Sequence, residues 1–477
     1  MPLIGTFIVP HPPLVIKEIG RGQEFKVKKT IDAYEKVACR IKDLRPDIII
    51  LTTPHSVLYS DYIHISPGKS ARGDFKEFGE MNVSMEVDYD SEFVQKLSML
   101  AEKENIPAGT LGEKNKKLDH GTMVPLYFIN KYYNDYKLVR ISISRLSAFD
   151  HYKFGKCIAQ LASESDKNIL IVASGDLSHM LKDEGPYGYA EEGVIFDREV
   201  TKAISNGDFL SLLNFDEDFC DAAGECGLRS FIIMAGALDG KKVKSELLSY
   251  EGPFGVGYAV AAFTITGEDE NRHFDNIFKF NEVRRLNSLK AEEDDYVRLA
   301  RLTLENYVIK HKKFKITEDL NLEKDLLEKR AGVFVSLKMD GKLRGCIGTI
   351  SPTTYSIADE IIQNAISSGL EDPRFYPVNE DELSKLEYSV DVLREAEKIE
   401  SMDELDPKRY GVIVSLGNKR GLLLPNLEGV NTSLEQVNIA LQKAGISPNE
   451  RYSLERFEVV RHKWKKEYAT FVHITAI

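Results

Sequence analysis

Residues 7–16 read FIVPHPPLVI, an apolar, strand-like run that leads directly into a histidine enclosed by prolines. Pro10, Pro12 and Pro13 fix φ at their own positions and favour extended backbone in the residues that precede them. A strand that ends here cannot continue into a helix, so we expect His11 to stand on a rigid strand end. The pattern is also typical of a surface loop with an incidental histidine, and the positions of the other histidines decide between the two interpretations.

The composition predicts a soluble cytoplasmic protein of more than one domain. A chain of 477 residues exceeds one ordinary core, so two or three domains are expected. The net charge of −12 disfavours nucleic acid and anionic membranes as partners. No basic segment precedes the first apolar run and no apolar stretch approaches the ~20 residues of a membrane span, so neither a signal peptide nor a transmembrane helix is expected. Five cysteines without a C-x-x-C pair favour free thiols in a reducing cytoplasm.

The first part of the chain, residues 1–267, alternates strand-like and helical segments. Residues 26–44, KVKKTIDAYEKVACRIKDL, place their apolar side chains on one helical face. Residues 45–56, RPDIIILTTPHS, then read as a buried strand that stops at a proline. This alternation predicts an α/β domain with a central sheet flanked by helices.

The sequence changes character after this domain. Residues 268–289 are polar and charged and are predicted to form a linker. Residues 290–477 are predicted to form an α+β domain, in which residues 332–350 contain two strands around an Asp-Gly turn. A later helix is expected to begin with Ser433 as its N-cap, with Gln436 closing a capping box.

Histidines recur at the predicted strand ends and turns of the α/β domain. The carboxyl ends of strands in an α/β sheet converge on a shared crevice where ligands bind, so histidines at these ends become neighbours. Each one alone is also compatible with a loop, turn or capping role. The four candidates are His11, His55, His120 and His179. His64 and His151 lack this setting and are predicted to be surface residues.

A carboxylate is needed to complete a metal site with two of these histidines. Two histidines and one carboxylate form the facial triad of non-haem Fe(II) oxygenases, which leaves coordination positions open for substrate and oxygen. The best candidate is Glu225 in residues 222–238, AAGECGLRSFIIMAGAL, just ahead of an apolar helix. Alternatively, Glu225 complements the positive end of that helix.

The candidate residues stand in five motifs spread over residues 1–267: PHPP, TPHS, DHGTMVPL, SGDLSH and the AGE…GAL segment. These motifs, in this order, resemble those of the class III extradiol dioxygenases, the LigB-like superfamily that also includes the Memo proteins. The resemblance implies that His11, His55 and Glu225 bind Fe(II), and that His120 and His179 act as acid/base residues on a catechol-like substrate.

One departure concerns the third ligand. Memo-type members of the superfamily have a cysteine in a Cys-Gly context at this position, and here Glu225 is followed by Cys226 and Gly227. Both side chains cannot face one metal if the segment is extended, because successive side chains point to opposite sides. Either residue is therefore a candidate, and Glu225 is favoured. A Cys226 thiolate would suit copper or zinc rather than iron.

Four segments characterise the second half: LRGCIGTI (343–350), DPRFYPV (372–378), LEYSVDVL (386–393) and RGLLLPNLEGV (420–430). On these segments the second half resembles the AMMECR family. A Memo-like domain together with an AMMECR-like domain is the pattern of the AmmeMemoRadiSam system. This resemblance implies a radical-SAM protein as a separate partner, since this chain carries no cluster motif of its own.

Cys346 is the candidate catalytic residue of the second half. Flanking glycines indicate a bulge or a close backbone approach, and Arg344 is positioned to lower the pKa of the thiol or to bind an anion. Alternatively, Cys346 is a buried structural cysteine, and Asp372 and Arg374 form a structural ion pair.

Two enzymatic functions and one binding function follow from these residues. The first is a cytoplasmic Fe(II)-dependent dioxygenase-type oxidoreductase that acts on a catechol-like or other vicinal-oxygen substrate and is fused to an AMMECR-like domain. The alternative is a Memo-like metal-binding or redox protein of the AmmeMemoRadiSam system, which works with a radical-SAM partner and does not cleave rings. In the third, the metal is structural and both halves recognise partners.

Overall fold

The computed structural model describes the chain in five stretches, which are residues 3–114, 117–317, 320–339, 341–427 and 429–463. Two compact units divide it, Met1–Phe280 and Asn281–Ile477. Among the described helices, none is long and apolar enough to cross a membrane.

The N-terminal unit contains alternating strands and helices. Its described strands are β1 (Leu3–Val9), β2 (Ile48–Thr53), β3 (Ile63–His64), β4 (Ser70–Phe75), β5 (Glu80–Asp88), β6 (Ala108–Gly109), β7 (Lys137–Ser142), β8 (Ile169–Ser174), β9 (Lys241–Glu251) and β10 (Tyr258–Glu268). Its described helices are α1 (Lys17–Gly20), α2 (Lys28–Leu44), α3 (Ser91–Lys103), α4 (His120–Asn130), α5 (Ala148–Ser163), α6 (Glu191–Asn206), α7 (Phe209–Leu213), α8 (Glu217–Ala223), α9 (Leu228–Ala237) and α10 (Phe274–Ala291), which continues into the second unit.

A six-stranded sheet forms the centre of this unit, in the order β7-β2-β8-β1-β10-β9. The first four strands are parallel, and β10 and β9 are antiparallel. Alternate side chains of β2 enter different cores: Ile48 and Ile50 pack with α5 and α9, whereas Ile49 and Leu51 pack with α2 and α4. Both faces are therefore covered, and the predicted α/β domain with a central sheet flanked by helices is confirmed. The carboxyl ends of β1, β2 and β8 lie at the same edge.

The C-terminal unit is an α+β domain, as predicted. Its described helices are α11 (Asp295–Lys310), α12 (Lys324–Glu328), α13 (Ile357–Leu370), α14 (Glu380–Leu383) and α15 (Ser433–Ala444). Its described strands are β11 (Val333–Met339), β12 (Lys342–Gly348), β13 (Leu386–Leu393), β14 (Glu397–Ile399), β15 (Gly411–Leu416), β16 (Lys419–Leu423), β17 (Ser453–Phe457) and β18 (Val459–Lys463). They form two four-stranded antiparallel sheets, β12-β11-β13-β18 and β14-β17-β15-β16.

Of two local predictions for the C-terminal part, the hairpin agrees with the structure and the capping box is shifted by one residue. The predicted hairpin is β11–β12, and its turn residue Asp340 lies outside the described residues. The capping box of α15 lies one residue earlier than predicted, with Thr432 as N-cap and Glu435 as its partner. The sequence fits a capping box in two registers, Thr432 with Glu435 or Ser433 with Gln436. The structure has the register in which the N3 residue is glutamate.

Two further predictions for the N-terminal part differ from the structure. The predicted linker 268–289 is largely occupied by α10. The boundary between the two units along the chain falls between Phe280 and Asn281. His64 and His151 are buried rather than on the surface. The ring of His151 accepts a hydrogen bond from Ser144 N–H over 3.1 Å, so this buried polar group is satisfied by the loop that precedes its own helix.

Candidate metal centre

Three potential metal ligands converge at the carboxyl edge of the six-stranded sheet. His11 follows β1, His55 follows β2, and Cys226 lies in the loop between α8 and α9. The Nε2 atoms of the two histidines are 2.9 Å apart, and Cys226 Sγ lies 3.6 Å from His11 Nε2. All three ligand atoms lie within 4.8 Å of one another. The structure thus brings two of the candidate histidines together with the cysteine that the sequence left as the alternative third ligand.

Glycines allow the loop that carries Cys226 to approach the end of β8. A Cβ atom on Gly175 would lie 2.2 Å from the Cα of Gly227, so any side chain there would separate the two segments. The close approach lets Asp176 N–H donate to Cys226 Sγ over 3.4 Å. Glycine at these two positions therefore sets the position of the sulfur.

His11 is fixed through its backbone. Its N–H donates to Asp176 Oδ1 over 2.8 Å, and the preceding carbonyl of Pro10 accepts a hydrogen bond from the buried Tyr34 hydroxyl. Val15 N–H donates to Pro12 O over 3.1 Å, which begins a short 3-10 turn directly after the histidine. These contacts hold the strand end that the prolines predict.

The ring of His11 is held in one tautomer. Ser174 Oγ donates its single proton to Gly121 O over 2.6 Å, so it accepts from His11 Nδ1–H, which is 3.0 Å away. The lone pair of His11 therefore lies on Nε2, the atom that faces His55 and Cys226. A hydrogen bond of this kind from the second ring nitrogen is the usual support of a metal-binding histidine.

The electrostatics of the centre favour neutral histidines. Burial, with the neighbouring histidines adding, holds the pKa of His11 well below its usual value, and burial lowers the pKa of His55 to about 4. Burial, followed by the carboxylate of Asp176, raises the pKa of the Cys226 thiol well above its usual value. A cation bound at the sulfur would reverse that effect and release the thiol proton.

The donor set fits a metal ion. Two imidazoles and one thiolate suit copper or zinc. Ligand bonds of about 2.0 Å to nitrogen and about 2.3 Å to sulfur, as for Zn²⁺, separate nitrogen and sulfur by about 3.5 Å at a tetrahedral angle. The observed separation of 3.6 Å between His11 Nε2 and Cys226 Sγ agrees with that value.

Glu225 has another partner. Its Oε2 accepts a hydrogen bond from Leu228 N–H, at the start of α9, over 2.7 Å. The carboxylate thus satisfies an amide at the positive end of the helix, the alternative role considered from the sequence. In the structure Cys226, and not the favoured Glu225, lies with the two histidines. The geometry of the loop, rather than the residue type, decides which neighbour faces them.

His120 lies beside the two candidate ligands His11 and His55, as the first residue of α4. Its ring centroid is 4.0 Å from that of His55 and 5.5 Å from that of His11. Asp119 caps the helix by accepting from Thr122 N–H, and it also accepts from Thr53 Oγ1 over 2.7 Å. The same capping residue therefore links His120 to the end of β2.

His179 approaches the centre from the segment after β8. Its N–H donates to Gly224 O over 3.2 Å, which joins it to the loop of Cys226. Its Nε2 is buried, and no described residue is hydrogen-bonded to that atom. Burial lowers the pKa values of both His179 and His120, so each is a neutral imidazole that can accept a proton near pH 7.

Sequence reasoning does not single out two buried carboxylates that support this segment. Asp176 holds His11 N–H, and burial raises its pKa to about 7. Asp197, in α6, accepts from Ser178 N–H over 2.8 Å and from the Tyr250 hydroxyl over 2.7 Å. Asp176 stands in the SGDLSH motif, whereas nothing in the local sequence of α6 marks Asp197.

A second group of potential ligands is an ion-pair network. Asp239, His273 and Asp275 lie within ligand distance of one another. The ammonium of Lys156 lies 3.0 Å from Asp239 Oδ2 and 2.7 Å from Asp275 Oδ2, and the Tyr152 hydroxyl donates to Asp239. Lysine thus supplies the positive charge that a cation would bring.

Cys346, the candidate in the C-terminal domain, is half-buried on β12. Its thiol accepts from Ser336 Oγ over 3.2 Å, and its N–H donates to Asp372 Oδ2 over 2.9 Å. Arg374 forms an ion pair with Asp372 at 2.7 Å. The guanidinium of Arg344 donates to both carboxylate oxygens of Glu382. Its positive charge is therefore paired with that carboxylate rather than with the thiol. A catalytic role for Cys346 stays a prediction.

Fold and centre together define the class of protein: an α/β domain with a candidate metal centre at the carboxyl edge of its sheet, followed by an α+β domain. Residues 5–261 match the family described as the catalytic LigB subunit of aromatic ring-opening dioxygenase, and residues 297–466 match the AMMECR1 family. The chain belongs to the LigB family and carries an AMMECR1 domain, which confirms both resemblances. Its LigB domain thus belongs to a dioxygenase superfamily.

Relatives match different shares of this chain. A protein of Clostridium acetobutylicum is 46% identical over 475 residues, which cover 97% of this chain and 100% of that protein. A Thermotoga maritima protein is 48% identical over 173 residues, 36% of this chain and 98% of its own length. The crystal structure of a Pyrococcus horikoshii protein matches with a TM-score of 0.33 and 32% identity, over 35% of this chain and 88% of that one.

Proposed function

We propose that the N-terminal domain is a metal-dependent oxidoreductase whose metal is bound by His11, His55 and Cys226. The observation that carries this proposal is the 3.6 Å separation of Cys226 Sγ and His11 Nε2, while Glu225 is engaged by Leu228 N–H. It favours the Memo-like alternative over ring cleavage by Fe(II). Copper is the redox-active metal that imidazole and thiolate ligands suit, and a bound metal of this kind would exchange electrons with a substrate beside it.

The remaining histidines supply proton transfer in this proposal. His120 and His179 are neutral near pH 7, because burial lowers their pKa values. A neutral imidazole takes a proton from a bound hydroxyl group and later returns it. The free Nε2 of His179 is available for this exchange, and Asp119 holds His120 in place.

The second candidate is a Fe(II)-dependent extradiol dioxygenase that acts on a catechol-like substrate. Membership of a ring-opening dioxygenase family supports it, together with two further histidines, His120 and His179, that could act as acid and base beside the proposed ligands. In this function Glu225 rather than Cys226 is the third ligand, and the carboxylate must leave Leu228 N–H to reach the metal.

Metal content after oxygen-free purification separates the two functions. Native protein is compared with His11→Ala, Cys226→Ser and Glu225→Gln, and Gln keeps an oxygen that can accept from Leu228 N–H. We expect about one metal per chain, lost in His11→Ala and Cys226→Ser and kept in Glu225→Gln. Metal lost in Glu225→Gln and kept in Cys226→Ser would instead establish the dioxygenase ligand set. Circular dichroism of each variant controls for folding.

A further inference from the structure

An aromatic ring lies against His120. Phe78 ends a short 3-10 turn, Lys76–Phe78, and its ring centroid is 5.2 Å from that of His120 at an interplanar angle of 69°. The preceding Phe75 is fully buried and anchors the turn. Phe78 itself is 37% exposed, so part of its ring is accessible to another molecule.

A second aromatic ring lies on His179. The Tyr187 centroid is 5.1 Å from that of His179 at an interplanar angle of 31°, and Tyr187 is 60% exposed. Backbone hydrogen bonds tie both ends of its loop: Leu181 N–H donates to Gly255 O, and Ala190 N–H donates to Met180 O. The loop therefore presents this ring from a held position.

The two rings share an unusual placement. Exposed aromatic side chains forgo the gain from burial, and rings of this kind are favourable contacts for another flat ring. They come from separate segments, after β4 and after β8, yet each touches one of the two histidines that do not bind the metal in the proposed function. The buried Nε2 of His179, which no described residue satisfies, points in addition to a missing polar ligand.

We propose that Phe78 and Tyr187 are the substrate-selecting side chains of the centre. They hold a flat, conjugated ring by stacking, while its oxygen substituents reach His120 and His179. This inference rests on the proposed function and adds to it the residues that choose the substrate.

Binding to the metal-loaded full chain tests the proposal. The first probe is 4-nitrocatechol, a flat ring with adjacent hydroxyl groups, and the second is oxalate, which chelates a metal without offering a ring. We expect Phe78→Ala and Tyr187→Ala each to weaken 4-nitrocatechol about tenfold, in line with aromatic stacking energies, and to leave oxalate unchanged. Phe78→Leu keeps the apolar volume and should lose most of the same affinity.

Matched controls are exposed aromatic residues without a described ring contact to the site. Phe25→Ala and Tyr189→Ala remove rings that are 74% and 51% exposed, and neither should change the affinity for either probe. Unaltered 4-nitrocatechol binding in Phe78→Ala and Tyr187→Ala, or equal losses for both probes, would overturn the inference alone. Native protein that holds no metal and binds no oxalate would overturn the proposed function, and the inference with it.

Discussion

Ser174 determines which nitrogen of His11 carries the lone pair that faces His55 and Cys226. Its hydroxyl proton is committed to Gly121 O, so its oxygen accepts from His11 Nδ1–H. This arrangement directs the lone pair of Nε2 before a metal binds. Preorganisation of a ligand through its other ring nitrogen raises affinity without adding a ligand.

We expect Ser174→Ala to weaken metal affinity about tenfold or more, because the ring loses its orientation. Competition with a chromogenic chelator measures the change. Ser142→Ala is the matched control, since Ser142 is also buried at the end of a strand and donates to His64 O. Equal affinities of the two variants would show that the hydrogen bond to His11 has no role in metal binding.

Asp197 gives the folded protein a pH dependence. Burial raises the pKa of this carboxyl to about 7, against about 3.9 in an unfolded chain. Between these values the folded state holds a proton that the unfolded state has released, so the free energy of unfolding falls as the pH rises from about 4 to about 7.

We expect Asp197→Asn to reduce this fall. Asn still accepts from Ser178 N–H and offers an amide to the Tyr250 oxygen, while it carries no charge to bury. Urea denaturation at pH 5 and pH 8 measures the difference for both proteins. The same difference in the variant as in the native protein would contradict the assignment of the buried charge.

The capping residue of helix α4, Asp119, connects several elements of the site. Asp119 accepts from Thr122 N–H at the helix start, from Thr53 Oγ1 at the end of β2, and from Arg140 Nη1 at 3.4 Å. The helix N-terminus, the neighbouring strand and a buried arginine are therefore joined through one carboxylate. His120, the next residue, takes its position from this junction.

We expect Asp119→Ala to lower the free energy of unfolding by about 2–4 kcal/mol, because it removes a buried ion pair as well as a cap. Asp216→Ala, at the exposed N-cap of α8, removes a cap at the protein surface and should cost about 1 kcal/mol. Urea denaturation measures both. Equal losses would mean that the contacts of Asp119 with Arg140 and Thr53 contribute nothing beyond capping.

The proposed metal site belongs to one of the two units. All three proposed ligands, together with His120 and His179, lie in the N-terminal unit. We expect a fragment of residues 1–291, which keeps α10 whole, to bind metal with the affinity of the full chain. The same chelator competition measures it. A fragment that is folded by circular dichroism yet binds metal more weakly would show that the C-terminal domain contributes to the centre. The radical-SAM partner implied by the resemblance stays a prediction.

The sequence predicts the fold because periodicity and strand-end motifs are local. The clustering of His11 and His55 follows from the parallel strands that they end. The choice between Glu225 and Cys226 does not, because it depends on an amide at the start of α9 and on a glycine contact with a distant strand end. Asp197 is invisible for the same reason, since its partners lie elsewhere in the chain.

An absorption spectrum of the full chain loaded with Co²⁺ tests directly whether the Cys226 thiolate binds the metal. A thiolate bound to this ion gives an intense sulfur-to-metal charge-transfer band, whereas a carboxylate does not. We predict that the band is present in the native protein and in Glu225→Gln and absent from Cys226→Ser. A band that survives in Cys226→Ser, or its absence from native protein that holds cobalt, would contradict the assignment of Cys226 as the third ligand.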